Sequence, residues 1–299
     1  MFDGFNRFFD IKINMDLKTF LPPYLSNFFL SAICFLIFTP SLYSQALTRQ
    51  EFNDTIKKMS AFSMDKDVYF ITGIATNKDL SKENSDIKYQ ISLKQLVTRA
   101  TLPLNSYLFI AYSQKSFWNV YELSNPFSDL DFNPAIGLVK PVFNKKDLLT
   151  GLMEFKFEHE SNGRDSIASR SWNRVSLSYH TPLKNNFMLT VKGWIPFQYE
   201  EDNPDILDYV GLGEAKLEYT IIPEKLVADI TLRKGLKDWN GAASTRLLYK
   251  LFNNSGNQYL MLEWFVGHAE NLIDYTKYTS MIRLGYVIKS TQLDILHGK

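Results

Sequence analysis

His159 and Ser161 sit two residues apart in the stretch FKFEHESNGRDSIASRSWNR (Phe155–Arg174), and their types and spacing suit covalent chemistry. An imidazole beside a hydroxyl accepts its proton and leaves an oxygen able to attack an acyl carbonyl. A third group that fixes the ring and its tautomer completes such a site, and Asn173 offers a neutral one. An isolated His-x-Ser is more often a pair of ordinary polar residues near a strand end, so the elements that carry these residues decide between the two readings. The other histidines, His180, His268 and His297, share no ligand spacing and read as structural or exposed. The single Cys34 excludes an internal disulfide framework and a Cys-based zinc site.

The elements read as strands. In Phe155–Ser161 the odd positions are Phe155, Phe157, His159 and Ser161, and the even positions from 154 are Glu154, Lys156, Glu158 and Glu160. Side chains two apart on a strand share a face, so His159 and Ser161 share the face of two phenylalanines. After a loop over 162–170 the chain returns as SWNRVSLSY, with Asn173, Val175, Leu177 and Tyr179 on the apolar side and Arg174 and Ser176 on the other. A hairpin of this length brings Asn173 beside His159.

The same period of two recurs along the chain. LGEAKLEYTI (Leu212–Ile221), LVADITLRK (Leu226–Lys234) and SMIRLGYVI (Ser280–Ile288) each oppose an apolar face to a polar one. About twelve such segments begin near residues 67, 87, 105, 134, 150, 170, 186, 207, 225, 241, 257 and 277. Joints such as IPEK and FNNSGN suit antiparallel hairpins. Alternation alone fits either a soluble sandwich or a membrane barrel with its apolar faces on lipid.

The N-terminus favours export. Phe28–Phe38 (FFLSAICFLIF) is an apolar run of about eleven residues, preceded by Lys18 and followed by TPSLYSQA. That run is too short for a membrane helix of roughly twenty residues, and its layout is that of a signal peptide over residues 1–46. Met15 is the more conventional start, because Asp3 and Asp10 are unusual ahead of such a run. Export, an even strand number, long strands and 15% aromatic residues together predict an all-β fold, a transmembrane antiparallel β-barrel of about twelve strands over residues 67–299. Residues 47–66 are expected to form a polar periplasmic lead-in. The five tryptophans are expected in interfacial girdles. A net charge of +1 gives no electrostatic case for nucleic acid as a partner.

In such a barrel His159, Ser161 and Asn173 face lipid, where a neutral asparagine avoids the desolvation penalty of a carboxylate. HESNGRDSIASRSWNR (His159–Arg174) resembles the corresponding segment of the bacterial outer-membrane phospholipase A family. The resemblance extends to YSQKSFWN (Tyr112–Asn119), NPDI (Asn203–Ile206) and NLIDY (Asn271–Tyr275), and covers the chain from about residue 67 onward. It implies a twelve-stranded outer-membrane barrel that hydrolyses phospholipid acyl esters, of phospholipase A1, A2 and lysophospholipase type, with calcium (Ca2+) and as a homodimer. By position, Ser161 would be the nucleophile, His159 the general base, Asn173 the orienting group and the Gly163 N–H an oxyanion donor. The resemblance implies calcium ligands at the Arg164 carbonyl and Ser169, with Ser124 contributed by the opposing subunit, and assigns Asp205 to a second calcium mode. The family acid of that mode falls on Ser166 here, with Asp165 one residue earlier. Gln114, on the face of Leu108, Ile110 and Tyr112, would hydrogen-bond across the dimer. The C-terminus TQLDILHGK lacks a terminal aromatic, so either Ile288 or Leu296 is expected to end the last strand differently or the assembly signal has diverged. A barrel that kept the fold as a channel or structural protein is the competing reading, and the lipid-facing polar trio weighs against it.

Overall fold

The computed structural model describes residues 46–99, 101–183, 186–252 and 256–297. The expected signal segment up to residue 45, with Met15 and Cys34, lies outside the described residues. Among the described residues, twelve long strands form one antiparallel sheet: β1 (Val68–Ala75), β2 (Ser85–Leu96), β3 (Tyr107–Trp118), β4 (Phe127–Phe143), β5 (Leu149–Ser161), β6 (Ser171–Leu183), β7 (Phe187–Phe197), β8 (Gly213–Ile222), β9 (Leu226–Lys234), β10 (Gly241–Tyr249), β11 (Gln258–Gly267) and β12 (Thr279–Ile288). Each pairs with its neighbours in sequence, and β12 pairs with β1, so the sheet closes on itself. Closure satisfies the backbone of every strand without leaving an edge, the condition for crossing a bilayer with strands.

The two faces separate cleanly. Phe70, Ile91, Leu177, Ile195 and Leu284 are exposed on the outside, while Lys88, Lys94, Glu154, Glu158, Asp229 and Arg283 are buried within. Inside, Lys88 pairs with Glu263 at 2.8 Å, Lys94 with Glu154 at 2.7 Å and Arg246 with Asp229 at 2.7 Å. A sandwich would bury the apolar faces and wet the charged ones. Here the order is reversed, as a membrane barrel requires.

Both ends of the barrel are closed by chain the strands do not use. Helix α1 (Arg49–Lys58) starts at a capping box, with Thr48 N–H donating to Glu51 Oε2 at 2.8 Å and Glu51 N–H to Thr48 Oγ1 at 3.3 Å. It buries Phe52 and Ile56 against Tyr107, Leu149, Ile295 and Leu296. Phe62 and Ser63 then add a short rung to β2, and Asp65 reaches Lys156 at 2.9 Å inside the barrel. The last strand therefore ends at Ile288, while Leu296 lies in a short 3-10 turn in that cluster rather than on a strand.

At the opposite end the 268–278 loop folds over the lumen. Leu272 N–H donates to Asp131 Oδ1 at 3.1 Å and Ile273 N–H to Asp129 Oδ2 at 2.7 Å. Those two acids are inward positions of β4, which starts at Phe127 rather than near 134. Burial pushes the Glu270 carboxyl up, but Arg283 and Lys88 outweigh it and hold the group at about 2. Leu272 and Tyr275 pack with Trp172, Trp194, Ile206 and Val210. Trp172 and Trp194 thus leave the expected girdle: they occupy inward positions and are buried. The segment near 207 forms a helical turn, α2 (Leu207–Val210), and β8 begins only at Gly213.

Candidate active site

Strands β5 and β6 place the trio. Their register sets His159 directly across from Asn173 and Ser161 across from Ser171. His159 Nδ1 and Asn173 Oδ1 are 2.9 Å apart. An amide oxygen only accepts, so this bond puts the imidazole proton on Nδ1 and leaves the Nε2 lone pair free. Ser161 lies two residues along the same face, half-buried like His159 and Asn173. Below them on that face, Phe155 and Phe157 are 38% and 51% exposed, their rings edge to face at 5.3 Å. The trio therefore caps an apolar wall.

The opposite face clamps the same strands. Arg174 binds Glu158 at 3.0 Å and Glu160 at 2.6 Å, Lys192 binds Glu158 at 2.7 Å, and the Ser176 hydroxyl donates to Glu158. Removing one partner from such a buried network costs about 3–5 kcal/mol, so the network strongly resists slippage between β5 and β6. On the other side of β5 the register counts Pro134 opposite His159. Proline has no N–H to give, and Asn133 Nδ2 instead donates to the His159 carbonyl at 2.8 Å. Asn133 Oδ1 in turn accepts from Lys66 at 3.1 Å.

The 162–170 loop is organised by Asn162. Its Nδ2 donates to the Ala168 carbonyl at 2.9 Å, and its Oδ1 accepts from the N–H groups of Arg170 at 3.0 Å and Arg164 at 3.3 Å. Gly163 has φ +65°, and a Cβ there would stand 2.9 Å from the Phe132 ring. Both the turn and the close ring therefore call for glycine. Among the described residues no acceptor takes the Gly163 N–H.

The remaining expected site residues are more dispersed. The carbonyls of Asp165, Ser166, Ile167, Ala168, Ser169 and Arg170 each accept a hydrogen bond within the loop, whereas those of Gly163 and Arg164 accept none among the described residues. The Arg164 side chain turns away to the Ser128 carbonyl at 2.5 Å, so its own carbonyl remains available. Ser169 lies in the same loop, and Ser124 lies in the β3–β4 loop with φ +67°. Asp205 Oδ1 accepts from the Tyr275 hydroxyl, which burial and this carboxylate hold well above the ordinary tyrosine range. Among the described residues no three His, Cys, Asp or Glu side chains converge as a metal cluster. A cation here would rely on neutral oxygens, a donor chemistry that hard Ca2+ accepts. Gln114 lies on the outer face of β3, in a row that the register runs from Ile91 through Gln114 and Phe132 to Ser161.

Three contacts escaped the sequence reading. Asn162 carries a local signal, an Asn–Gly pair leaving a strand. The Asn133–Pro134 pair carries a weaker one. Gln198, whose Oε1 accepts from Asn173 Nδ2 at 3.3 Å, carries none.

Comparison with known proteins identifies the family and the fold. The family model described as Phospholipase A1 matches residues 52–288. The phospholipase A1 of Escherichia coli K12 is 30% identical over 209 residues, which are 68% of this chain and 69% of that protein. The solved outer membrane phospholipase A from Escherichia coli superposes with a TM-score of 0.68 at 26% identity, covering 77% of this chain and 99% of that one. The Salmonella typhi outer membrane phospholipase dimer with bound calcium gives a TM-score of 0.69 at 25% identity, covering 81% and 99%. The chain belongs to the phospholipase A1 family and is an ester hydrolase built as a twelve-stranded outer-membrane β-barrel.

Proposed function

We propose that this phospholipase cleaves phospholipid acyl esters on the outer wall of its barrel, with Ser161 as nucleophile, His159 as general base and Asn173 as the group that orients the imidazole. The observation that carries the proposal is the 2.9 Å contact between His159 Nδ1 and Asn173 Oδ1, on the face that carries Ser161 and the exposed phenylalanines. Ser161 Oγ attacks the acyl carbonyl carbon while His159 Nε2 takes its proton. The same proton then goes to the departing glycerol oxygen, and the lysophospholipid leaves an acyl-serine. Water, deprotonated by His159, releases the fatty acid and restores the hydroxyl. The Gly163 N–H supplies a hydrogen bond to the tetrahedral oxyanion. A carboxylate in place of Asn173 would have to be held unpaired at the lipid boundary, which a neutral amide avoids.

Calcium enters as a proposed cofactor held by neutral oxygens: the Arg164 carbonyl and Ser169 of one copy and Ser124 of a second, with water completing a shell of six to eight. Bound there, it would add positive potential beside the developing oxyanion. Asp205, with Oδ2 outside its bond to Tyr275, is the acid available to a calcium held within one protomer. Two ligands from one copy alone make a weak site, so binding and activity depend on a homodimer, whose contact includes Gln114 on the outer face. The calcium-bound dimer seen for the Salmonella typhi relative supports this arrangement. Refolded protein in mixed micelles is expected to release fatty acid with calcium and to stop in EDTA, with recovery on adding calcium back. Unchanged release in EDTA would remove calcium from the account and leave the trio untouched.

A further inference from the structure

We infer that Gln198 is a positioning residue that selects the productive orientation of the Asn173 amide. The inference rests on the proposed roles of His159, Ser161 and Asn173. A neutral asparagine brings a problem that a carboxylate does not have, because its two ends have nearly the same shape and opposite hydrogen-bonding sense. With Oδ1 toward His159, the ring carries its proton on Nδ1 and Nε2 can accept from Ser161. With the amide reversed, Nδ2 would donate to Nδ1, the ring proton would move to Nε2, and the serine would lose its base.

Something must hold the other end of the amide, and Gln198 does so. Asn173 Nδ2 donates to Gln198 Oε1 at 3.3 Å. The backbone is bent to allow it. Phe197, the last residue of β7, pairs with Asn173, and strict alternation would turn residue 198 toward the lumen. Gln198 instead has φ +51°, an uncommon conformation for a glutamine, and its side chain reaches Asn173 on the outer face. A reversed Asn173 would set its oxygen against Gln198 Oε1 unless the glutamine reversed as well, so in the orientation it holds here Gln198 disfavours the unproductive state. The contact is exposed, and a hydrogen bond of this kind is worth at most about 0.5–1.5 kcal/mol, which corresponds to a change of up to roughly two- to tenfold.

The test uses the full-length refolded protein with calcium in mixed micelles. Gln198→Ala is expected to lower kcat by about two- to tenfold with KM unchanged. Gln198→Glu, whose side chain can only accept, is expected to keep kcat at or above the native level, and Gln198→Lys, whose side chain can only donate, to lower it below that of Gln198→Ala. The decisive background is Asn173→Asp, whose carboxylate has no wrong way round: there, Gln198→Ala is expected to change kcat by less than about 1.5-fold. An equal loss in both backgrounds would make Gln198 merely structural and overturn the inference. So would no loss in the native background. If Asn173→Asp is too slow to measure, the order Glu, Ala, Lys decides in the same sense. Failure of the underlying reading is distinguishable, because full activity in Ser161→Ala would remove the trio whatever Gln198 does.

Discussion

At the scale of single residues, the placement of the trio follows from parity. His159 and Ser161 share the odd face with Phe155 and Phe157, and Asn173 shares it with Val175, and this much is legible in the sequence. The register then brings His159 to Asn173, where the ring's Nδ1 proton meets the asparagine oxygen. Asn173→Ala is accordingly expected to lower kcat by about ten- to a hundredfold while leaving the barrel folded, since a free imidazole still samples the correct tautomer for part of the time. Steady-state release of fatty acid, with heat-modifiable migration on a gel as the folding control, measures this. A rate within twofold of the native protein would show that the asparagine is ornamental. Gln198 and Asn133 were not legible in the same way, because their partners lie on other strands and depend on a turn with φ +51° and on a proline that withholds an N–H.

Elements show where periodicity suffices and where it fails. Alternation located the strands because one face of each meets lipid and the other meets the lumen, so every slip by one residue would invert both. It failed at Phe127–Asn133, where Asp129 and Asp131 resemble loop residues until the 268–278 loop is seen to bind them through its amides. It failed again at Leu207–Val210, where a helical turn buries Val210 beneath the same loop. The girdle expectation for Trp172 overlooked its parity with Arg174, which points inward. The 162–170 loop lies between these cases, since its ends follow from the hairpin but its shape depends on Asn162. Replacing Asn162 by alanine leaves the Ala168 carbonyl and the Arg164 and Arg170 N–H groups without their partner. The expected cost is about 1–3 kcal/mol confined to the loop. Asn162→Ala should therefore keep its heat-modifiable barrel, lose at least tenfold in activity, and need more calcium for half-maximal rate. An unchanged calcium requirement would detach the loop from the proposed ion site.

The whole molecule is a barrel whose lumen is packed with ion pairs and whose proposed site is on the outside. The lead-in and C-terminal turn close one end through Phe52, Ile56, Ile295 and Leu296, and the 268–278 loop closes the other. Glu270 ties that loop to Lys88 at 3.0 Å and to Arg283 at 2.6 Å. Its carboxyl is held at about 2, below its ordinary value of about 4.3. A depressed carboxylate contributes stability that is fully present above its unfolded value and is lost as pH falls through the folded one. The thermal midpoint of the barrel is expected to fall between about pH 4.5 and pH 2, and Glu270→Gln to flatten part of that fall. An equally steep profile in the variant would place the acid sensitivity elsewhere. The central claim, however, is that an outward serine is the nucleophile. A fluorophosphonate carrying an alkyl chain, presented in micelles with calcium, tests it by modifying the reactive serine covalently. The account predicts a single adduct, mapped by mass spectrometry to Ser161 and lost in His159→Ala. An adduct at another serine, or labelling of Ser161 that is indifferent to His159, would contradict it.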